Sequence, residues 1–185
     1  MTLPIKPKPE IKWAYDQQIL IKKNVLTADD CQNIIEQFRD CVRPTENKYA
    51  RHFSTDFNTA LIAENHWVYN KISSTLLEIN DFFKFSVDFI ELLEIKEYRA
   101  NGHFGLHKDN YFGLESGLDR KITVSCQLSK SQDYTGGQLK IMTIPIKIDQ
   151  GDLVAFPSFL SHEVTPVTKG SRHVFVGWLW GPNWK

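Results

Sequence analysis

His107 and Asp109 are separated by a single residue in the stretch YRANGHFGLHKDNYF, Tyr98 to Phe112. Side chains alternate faces along a strand, so residues i and i+2 project together about 6.6 Å apart and converge on one point. An imidazole nitrogen and a carboxylate oxygen are ligands of mononuclear iron(II) sites, in which two histidines and one carboxylate occupy one face and leave open positions. The pair therefore predicts a metal site that needs one more ligand.

His162 is the best candidate for this third ligand. It follows an apolar strand and begins another in FPSFLSHEVTPV, 55 residues after His107. The strongest rival is His103, which an even spacing along a strand would place on the same face as His107. We interpret His103 as a surface or hydrogen-bonded side chain, and the same interpretation applies to His52, His66 and His173.

Arg172 stands at the start of the apolar run HVFVGWLW, where an unpaired charge is costly to bury. A guanidinium can grip a carboxylate through two parallel hydrogen bonds, so an inward Arg172 would suit a carboxylate ligand, and a surface arginine is the alternative interpretation. The ten-residue spacing from His162 spans Lys169 and Gly170, which we expect to form a turn between two paired strands that present both side chains inward. The residues that share its face, and that either wall this pocket or form ordinary core, are Val174, Val176 and Trp178.

These residues must be positioned by a fold with helices first and strands afterwards. A T-x-x-D capping box at Thr27–Asp30 opens a helix that ends before Pro44, and apolar residues at helical spacing predict a second helix over His66–Phe83. Residues 45–60 are polar and show no pattern. From about Phe85 onward, short β-branched and aromatic runs separated by turn residues predict strands. The predicted strands are VDFIELLEIKEY, KITVSCQLS, GQLKIM, DLVAFP, HEVTPV and HVFVGWLW.

Composition limits the functional classes. The 185 residues suit one domain, with helices over about 27–83 supporting a β core over about 85–181. A net charge of zero disfavours nucleic acid and anionic membranes as partners, and no apolar run is long enough to cross a bilayer. The N-terminus lacks the apolar stretch of a signal peptide, and three cysteines suit reduced thiols, so we expect a cytoplasmic protein.

Between about Arg51 and Trp180, the sequence resembles the prolyl 4-hydroxylase-like branch of the iron(II)/2-oxoglutarate dioxygenases. The motifs that carry the resemblance are EYRANGHFGLHKD, YTGGQLKI and GDLVAFPSFLSHEVTPVTKGSRHVFVGWLWGP. It implies a mainly β fold with supporting α-helices, a double-stranded β-helix (jelly roll, cupin-like). It further implies that His107, Asp109 and His162 hold iron(II) as the catalytic centre. By the same resemblance Arg172 pairs with the distal carboxylate of 2-oxoglutarate and Tyr98 donates a hydrogen bond near this cosubstrate.

The resemblance implies an enzyme that uses Fe(II), 2-oxoglutarate and O2, with ascorbate as a candidate reductant, to hydroxylate an unactivated C–H bond. Peptidyl proline is the expected target, and the expected partner is therefore a proline-containing protein or peptide. A hydroxylase of free amino acids or other small molecules and a non-catalytic jelly-roll binding module remain alternatives. A nucleic-acid demethylase is disfavoured, because Trp178 stands where that group typically has a second arginine.

Two segments depart from the family pattern or extend it. Asn101 stands where the family commonly has glycine, and asparagine tolerates a positive φ, so we expect the turn to be kept. Residues 110–120, NYFGLESGLDR, carry two glycines beside the metal strand and form a candidate lid. Arg51, Trp67 and Tyr111 are candidate substrate contacts, although helix packing or surface charge is the favoured interpretation of each.

Overall fold

The computed structural model describes residues 18–44, 54–110 and 116–184, with side chains described from Phe57 onward in the second range. The helices of these residues are α1 (Ala28–Phe38) and α2 (Trp67–Phe83). The first strands are β1 (Leu20–Lys22), β2 (Arg43–Pro44), β3 (Ser54–Leu61), β4 (Phe89–Ile90), β5 (Glu94–His107) and β6 (Leu118–Gln127). The later strands are β7 (Tyr134–Gly136), β8 (Leu139–Ile141), β9 (Ile144–Pro145), β10 (Leu153–Pro157), β11 (His162–Val164), β12 (Val167–Gly170) and β13 (Arg172–Pro182).

Both predicted helices are confirmed, and their first turns explain where they begin. The Thr27 hydroxyl accepts from the Asp30 amide at 3.1 Å, and the Asp30 carboxylate accepts from the Thr27 amide at 2.8 Å. This reciprocal pair is the predicted capping box, and it satisfies two backbone donors that the first turn leaves without helical partners. The second helix begins after His66, whose Nδ1 accepts from the Val68 amide at 3.3 Å.

An antiparallel sheet curls around the site in the order β1-β10-β6-β13-β5-β11-β8-β9, and β12 pairs with β7 in a second, two-stranded sheet. Strand β5 holds the two ends of this arrangement together because it pairs with β13 near Tyr98 and with β11 near His107. Between these two regions Asn101 has a φ of +72°, as the sequence predicts for a turn that an asparagine tolerates. The predicted jelly roll is confirmed.

Two apolar clusters lie on opposite faces of the curled sheet. One joins the helices to the outer face, where Ile34 and Ile72 pack with Ile122 and Phe175. The other lies inside the jelly roll and includes Tyr98, Phe104, Phe156 and Val174. Alternation along β13 explains the division, because Val174 faces inward and the adjacent Phe175 faces the helices. Neither α1 nor α2 combines the length and the hydropathy that a membrane-crossing helix needs.

Some sequence expectations about the elements are wrong. Residues 54–60, expected to lack regular structure, lie in β3, which pairs along β5. Lys169 and Gly170 are the end of β12 and do not form a turn between paired strands. Each of the six predicted strand segments overlaps at least one strand of the structure. Strand β3 escaped prediction because one set of alternating residues is Ser-Asp-Asn-Ala and the other is Thr-Phe-Thr-Leu, so neither face is consistently apolar.

Candidate metal centre

His107, Asp109 and His162 converge in the interior of the jelly roll. One ligand atom from each lies within 4.8 Å of those of the other two. The Asp109 carboxylate is 3.4 Å from His107 Nε2 through one oxygen and 3.3 Å from His162 Nε2 through the other. Donor atoms that bind one ion at about 2.1 Å and at right angles are about 3 Å apart, so this spacing suits a single metal ion.

The two histidines approach each other across a strand ladder. His162, the first residue of β11, lies opposite His107, the last residue of β5, and their ring centroids are 4.2 Å apart. Asp109 lies just beyond the end of β5, so the expectation that a continuous strand aligns it with His107 is wrong. Its amide instead donates to the Ser158 carbonyl at 3.0 Å, which turns the chain back toward the cluster.

Hydrogen bonds to backbone carbonyls fix the two imidazoles for metal binding. His107 Nδ1 lies 2.8 Å from the Gly105 carbonyl oxygen, and His162 Nδ1 lies 3.0 Å from that of Leu160. A carbonyl only accepts, so each Nδ1 carries the proton and each Nε2 keeps its lone pair. Supporting hydrogen bonds of this kind orient metal-binding histidines and raise their basicity. The donor set therefore fits an ion held by two imidazoles and a carboxylate.

A hydroxyl pair supports the carboxylate. Thr123 Oγ1 on β6 donates to Asp109 Oδ2 at 2.7 Å and lies 3.0 Å from Ser158 Oγ. These side chains are buried, so the carboxylate is held by protein groups and not by bulk water. Thr123 and Ser158 were not among the residues predicted from the sequence. Their contacts with Asp109 depend on how β6 and β10 pair, and the spacing of residues along the chain does not reveal this pairing.

The electrostatics of the cluster favour an ionised carboxylate. Burial opposes the charge on Asp109, but the adjacent His162 and His107 outweigh it and hold its pKa well below the usual range. Burial also disfavours a charged His162, yet the Asp109 carboxylate prevails and raises its pKa above 6.5. For His107 burial dominates and lowers the pKa. A metal ion must therefore compete with a proton for the Nε2 lone pair of His162.

Arg172 and Tyr98 lie in the same cavity as the three candidate ligands. Arg172 is 2% exposed, and no carboxylate of the described residues forms an ion pair with it. Its guanidinium carbon lies 5.7 Å from the centroid of the Tyr98 ring, and its Nε donates to the Gln127 side chain at 3.1 Å. A buried guanidinium without an anionic partner is costly, so this end of the cavity suits a carboxylate ligand.

The cavity has about 450 Å³ of space between its atoms, open solvent included, and its walls are mostly apolar. Val174, Val176 and Trp178 line it, as the alternation along β13 predicts. Strand β13 runs beside β5 and β6, and His162 lies on β11, so Arg172 and His162 do not come from two strands paired with each other. The side chains of Arg172 and His162 both line the cavity, because their strands pair with different parts of β5.

Lys96 is a cavity residue that the sequence analysis missed. Its ammonium lies 3.1 Å from the Glu94 carboxylate and about 5.4–5.5 Å from the ring centroids of Phe57, Phe104 and Trp178. Burial disfavours the charge, but the Glu94 carboxylate contributes most to an opposing effect that raises the pKa of Lys96. The sequence contained a signal for this position, because Lys96 and Tyr98 are two residues apart and therefore lie on one face of the strand.

The other sequence candidates do not join the cluster. His103 lies outside it, with Nδ1 3.1 Å from the Asn101 carbonyl oxygen. The prediction that His103 and His107 share a face is wrong because β5 is irregular between them. Phe104 faces the cavity together with His107 instead. Trp67 packs against the cluster between the helices and the sheet, in agreement with helix packing. Arg51, His52, Tyr111 and residues 111–115 of the candidate lid lie outside the described residues.

Comparison with known proteins agrees with this geometry. A sequence model described as the 2OG-Fe(II) oxygenase superfamily matches residues 93–180, which contain all three candidate ligands, Tyr98 and Arg172. A PKHD-type hydroxylase of Prochlorococcus marinus is 39% identical over 83 residues, covering 43% of this chain and 37% of the relative. Another, from Hyphomonas neptunium, is 40% identical over 82 residues, covering 41% and 37%. The matched part spans about two fifths of the length of these curated relatives.

Solved structures share the fold over most of the chain. A prolyl-4-hydroxylase of Pseudomonas putida has a TM-score of 0.71 at 16% identity, covering 91% of this chain and 94% of its own. A viral collagen prolyl hydroxylase from Paramecium Bursaria Chlorella virus-1 has a TM-score of 0.69 at 17% identity, covering 89% and 96%. A Trichoplax adhaerens prolyl hydroxylase, solved with a peptide of hypoxia inducible factor, has a TM-score of 0.64 at 18% identity, covering 89% and 84%.

Proposed function

We propose that the chain, which shares the fold of prolyl 4-hydroxylases and matches a 2OG-Fe(II) oxygenase sequence model over residues 93–180, is a member of that superfamily and an iron(II)- and 2-oxoglutarate-dependent dioxygenase. One observation carries the proposal. Two imidazoles and a carboxylate meet in a cavity that also contains a buried arginine without an anionic partner among the described residues. A metal ion and a ligand with a carboxylate at its far end together satisfy both features.

His107, Asp109 and His162 would hold the iron(II) from one side. Both Nε2 atoms and the Asp109 carboxylate face each other inside the cavity, so an ion held by them would be accessible from the cavity space. Iron(II) with 2-oxoglutarate and O2 supplies the oxidising power to hydroxylate an unactivated C–H bond, which side chains alone lack. The residues of the chain supply binding, orientation and exclusion of water.

Arg172 and Tyr98 would orient 2-oxoglutarate. The guanidinium binds the distal carboxylate through paired hydrogen bonds, and the Tyr98 hydroxyl, which bonds to no other described residue, donates beside it. Burial raises the pKa of Tyr98, so its hydroxyl keeps the proton that it donates. The apolar walls Val174 and Val176 exclude water from the space between this anchor and the three ligands.

A proline in a protein or peptide is the proposed target. The support is the fold shared with prolyl hydroxylases, one of which was solved with a peptide fragment. Lys96, Phe104 and Trp178 line the cavity and would contact the substrate there. A cytoplasmic location is part of the proposal, because Cys31, Cys41 and Cys126 are all unpaired thiols. Ascorbate as a reductant also remains a proposal.

The test measures succinate and a product heavier by one oxygen atom, with iron(II), 2-oxoglutarate and air, on proline-containing peptides and on free proline. We expect coupled formation of both products with peptides and neither with Asp109→Ala. Coupled turnover on free proline alone would replace the peptide target with an amino acid. Equal succinate from wild type and Asp109→Ala, or none from either, would contradict the proposed dioxygenase and leave the binding-module alternative.

A further inference from the structure

Arg172 forms a hydrogen bond to the described residues through only one nitrogen of its guanidinium. Its Nε donates to Gln127 Oε1 at 3.1 Å, and its terminal nitrogens have no hydrogen bond to another described residue. A guanidinium offers a carboxylate either the edge formed by Nε and one terminal nitrogen or the edge formed by both terminal nitrogens. Because Gln127 occupies Nε, a carboxylate must bind end-on to the two terminal nitrogens.

The orientation of the Gln127 amide is fixed by a second hydrogen bond. Its Nε2 donates to the Ser129 carbonyl at 3.0 Å, so Oε1 is the atom that faces Arg172. Ser129 is held in turn by the His173 amide, which donates to its hydroxyl at 2.7 Å. Gln127 is 1% exposed and lies opposite Val174 where β6 pairs with β13. The amide is therefore fixed by hydrogen bonds and strand pairing within the protein.

A close backbone approach confines the stem of Arg172 on its other side. Gly137 has a φ of +59°, and a Cβ added there would lie 3.1 Å from Arg172 Cδ and 2.8 Å from a methyl group of Val167. Only glycine leaves this space for the arginine stem. Gln127 at Nε and Gly137 at the stem thus restrain the guanidinium at two points and leave its terminal nitrogens as the remaining donors.

We propose that Gln127 is a positioning residue that holds Arg172 for end-on binding of the distal carboxylate of a dicarboxylic 2-oxo acid. The inference rests on the proposed function, because it concerns the 2-oxoglutarate anchor. This positioning role requires that the side chain of Gln127 carries no charge. An amide accepts from Nε without cancelling the arginine charge, whereas a carboxylate at position 127 would form a paired contact with Arg172 and compete with the ligand.

The experiment is calorimetric binding of 2-oxoglutarate and of 2-oxobutyrate, which lacks the distal carboxylate, to the manganese(II)-loaded protein under argon. Gln127→Glu should weaken the binding of 2-oxoglutarate by about tenfold or more, which corresponds to about 1.4 kcal/mol. It should leave 2-oxobutyrate and manganese binding within about twofold of wild type. Gln127→Met, which loses the acceptor without adding charge, should weaken 2-oxoglutarate less than Gln127→Glu. Gln138→Glu, the same change at an exposed position, serves as the matched control.

The outcomes separate this inference from the proposed function. The positioning role is supported if the preference for 2-oxoglutarate over 2-oxobutyrate falls in Gln127→Glu and persists in Gln138→Glu. Unchanged preference in Gln127→Glu, or equal loss of both 2-oxo acids, overturns it and leaves the proposed function intact. Wild type that binds neither 2-oxo acid overturns the proposed function itself. If Gln127→Glu does not fold, as judged by thermal melting, Gln127→Met decides, and unchanged preference there overturns the inference.

Discussion

His162 lies directly opposite His107 across the β5–β11 ladder, and this cross-strand pair brings their rings to 4.2 Å. Strand pairing, which buries backbone hydrogen bonds, therefore fixes the separation of two proposed ligands that are 55 residues apart in the chain. Asp109 joins them from the segment after β5, where its backbone amide donates a hydrogen bond to the Ser158 carbonyl. Contacts within the protein thus position all three side chains, and each contact can be tested separately.

Removal of the hydroxyl that supports Asp109 should weaken metal binding. Thr123→Val keeps the shape of the side chain but loses the 2.7 Å hydrogen bond to Asp109 Oδ2. Loss of such a supporting contact costs about 10–100-fold in metal affinity, and we expect a fall in this range by iron(II) titration under argon. Thr59→Val is the matched control, because the buried Thr59 hydroxyl has no hydrogen-bond partner among the described residues. Equal affinity of Thr123→Val and wild type would show that the hydroxyl does not orient the carboxylate.

Replacement of Arg172 should impair cosubstrate binding more than metal binding. Arg172→Leu removes a buried cation that has no carboxylate partner among the described residues. Hydrogen bonds to charged groups contribute about 1.5–3 kcal/mol, so the KM for 2-oxoglutarate should rise about 10–100-fold. Steady-state succinate formation measures this KM, and iron(II) affinity, measured by titration, should stay within about twofold. An unchanged KM would remove Arg172 from the proposed anchor.

Metal binding should depend on pH through His162. Burial disfavours a charged His162, but the Asp109 carboxylate outweighs it and raises the pKa of His162 above 6.5, so a proton competes with the metal ion for this ring up to higher pH than for a free imidazole. An ion binds only the deprotonated ring, and affinity should therefore fall as pH drops below this pKa, by about tenfold per pH unit. Titrations with cobalt(II) between pH 6 and pH 8 measure the effect and the released proton. Constant affinity across this range would contradict this competition at His162.

Asp152 should stabilise the fold far from the metal centre. Its carboxylate accepts from Lys23 Nζ at 2.7 Å, from the Asn24 amide at 3.0 Å and from the Asp149 amide at 2.8 Å. Burial opposes its charge, but these hydrogen bonds prevail and lower its pKa. We expect Asp152→Asn to lose about 1–3 kcal/mol of unfolding free energy at pH 7.

The sign of the pH dependence follows from the lowered pKa of Asp152. A carboxylate whose pKa falls on folding contributes stability above its unfolded pKa of about 3.9, and that contribution is lost as pH falls through the folded value. Urea unfolding at pH 7 and pH 3 should therefore show a smaller difference between wild type and Asp152→Asn at the lower pH. A difference that grows with acidification would contradict the assignment.

The sequence identified the candidate site better than it explained its geometry. His107, Asp109, His162, Arg172 and Tyr98 meet in one cavity, although two of the expected reasons are wrong. Strand β5 ends before Asp109, and β12 lies where a turn was expected before Arg172. Residue type and approximate period are properties of the local sequence, whereas strand ends depend on which partner supplies the next hydrogen bond.

The supporting residues were beyond sequence analysis for a related reason. Thr123, Ser158 and Gln127 have common polar side chains, and nothing in their local pattern distinguishes them from surface residues. Their roles arise because β6 pairs with both β10 and β13, which brings Thr123 to Asp109 and Gln127 to Arg172. Cross-strand register determines these contacts, and the spacing of residues along the chain does not show which residues lie opposite each other in neighbouring strands.

Anaerobic titration of iron(II) into the metal-free protein tests the central claim most directly, because it asks whether His107, Asp109 and His162 hold one ion together. We expect one ion per chain for wild type and for Asp149→Ala, whose side chain is 84% exposed. We expect an affinity at least about 100-fold lower for Asp109→Ala, since loss of a ligand should cost no less than loss of its support. Iron(II) bound equally well by Asp109→Ala and wild type would contradict the shared metal site.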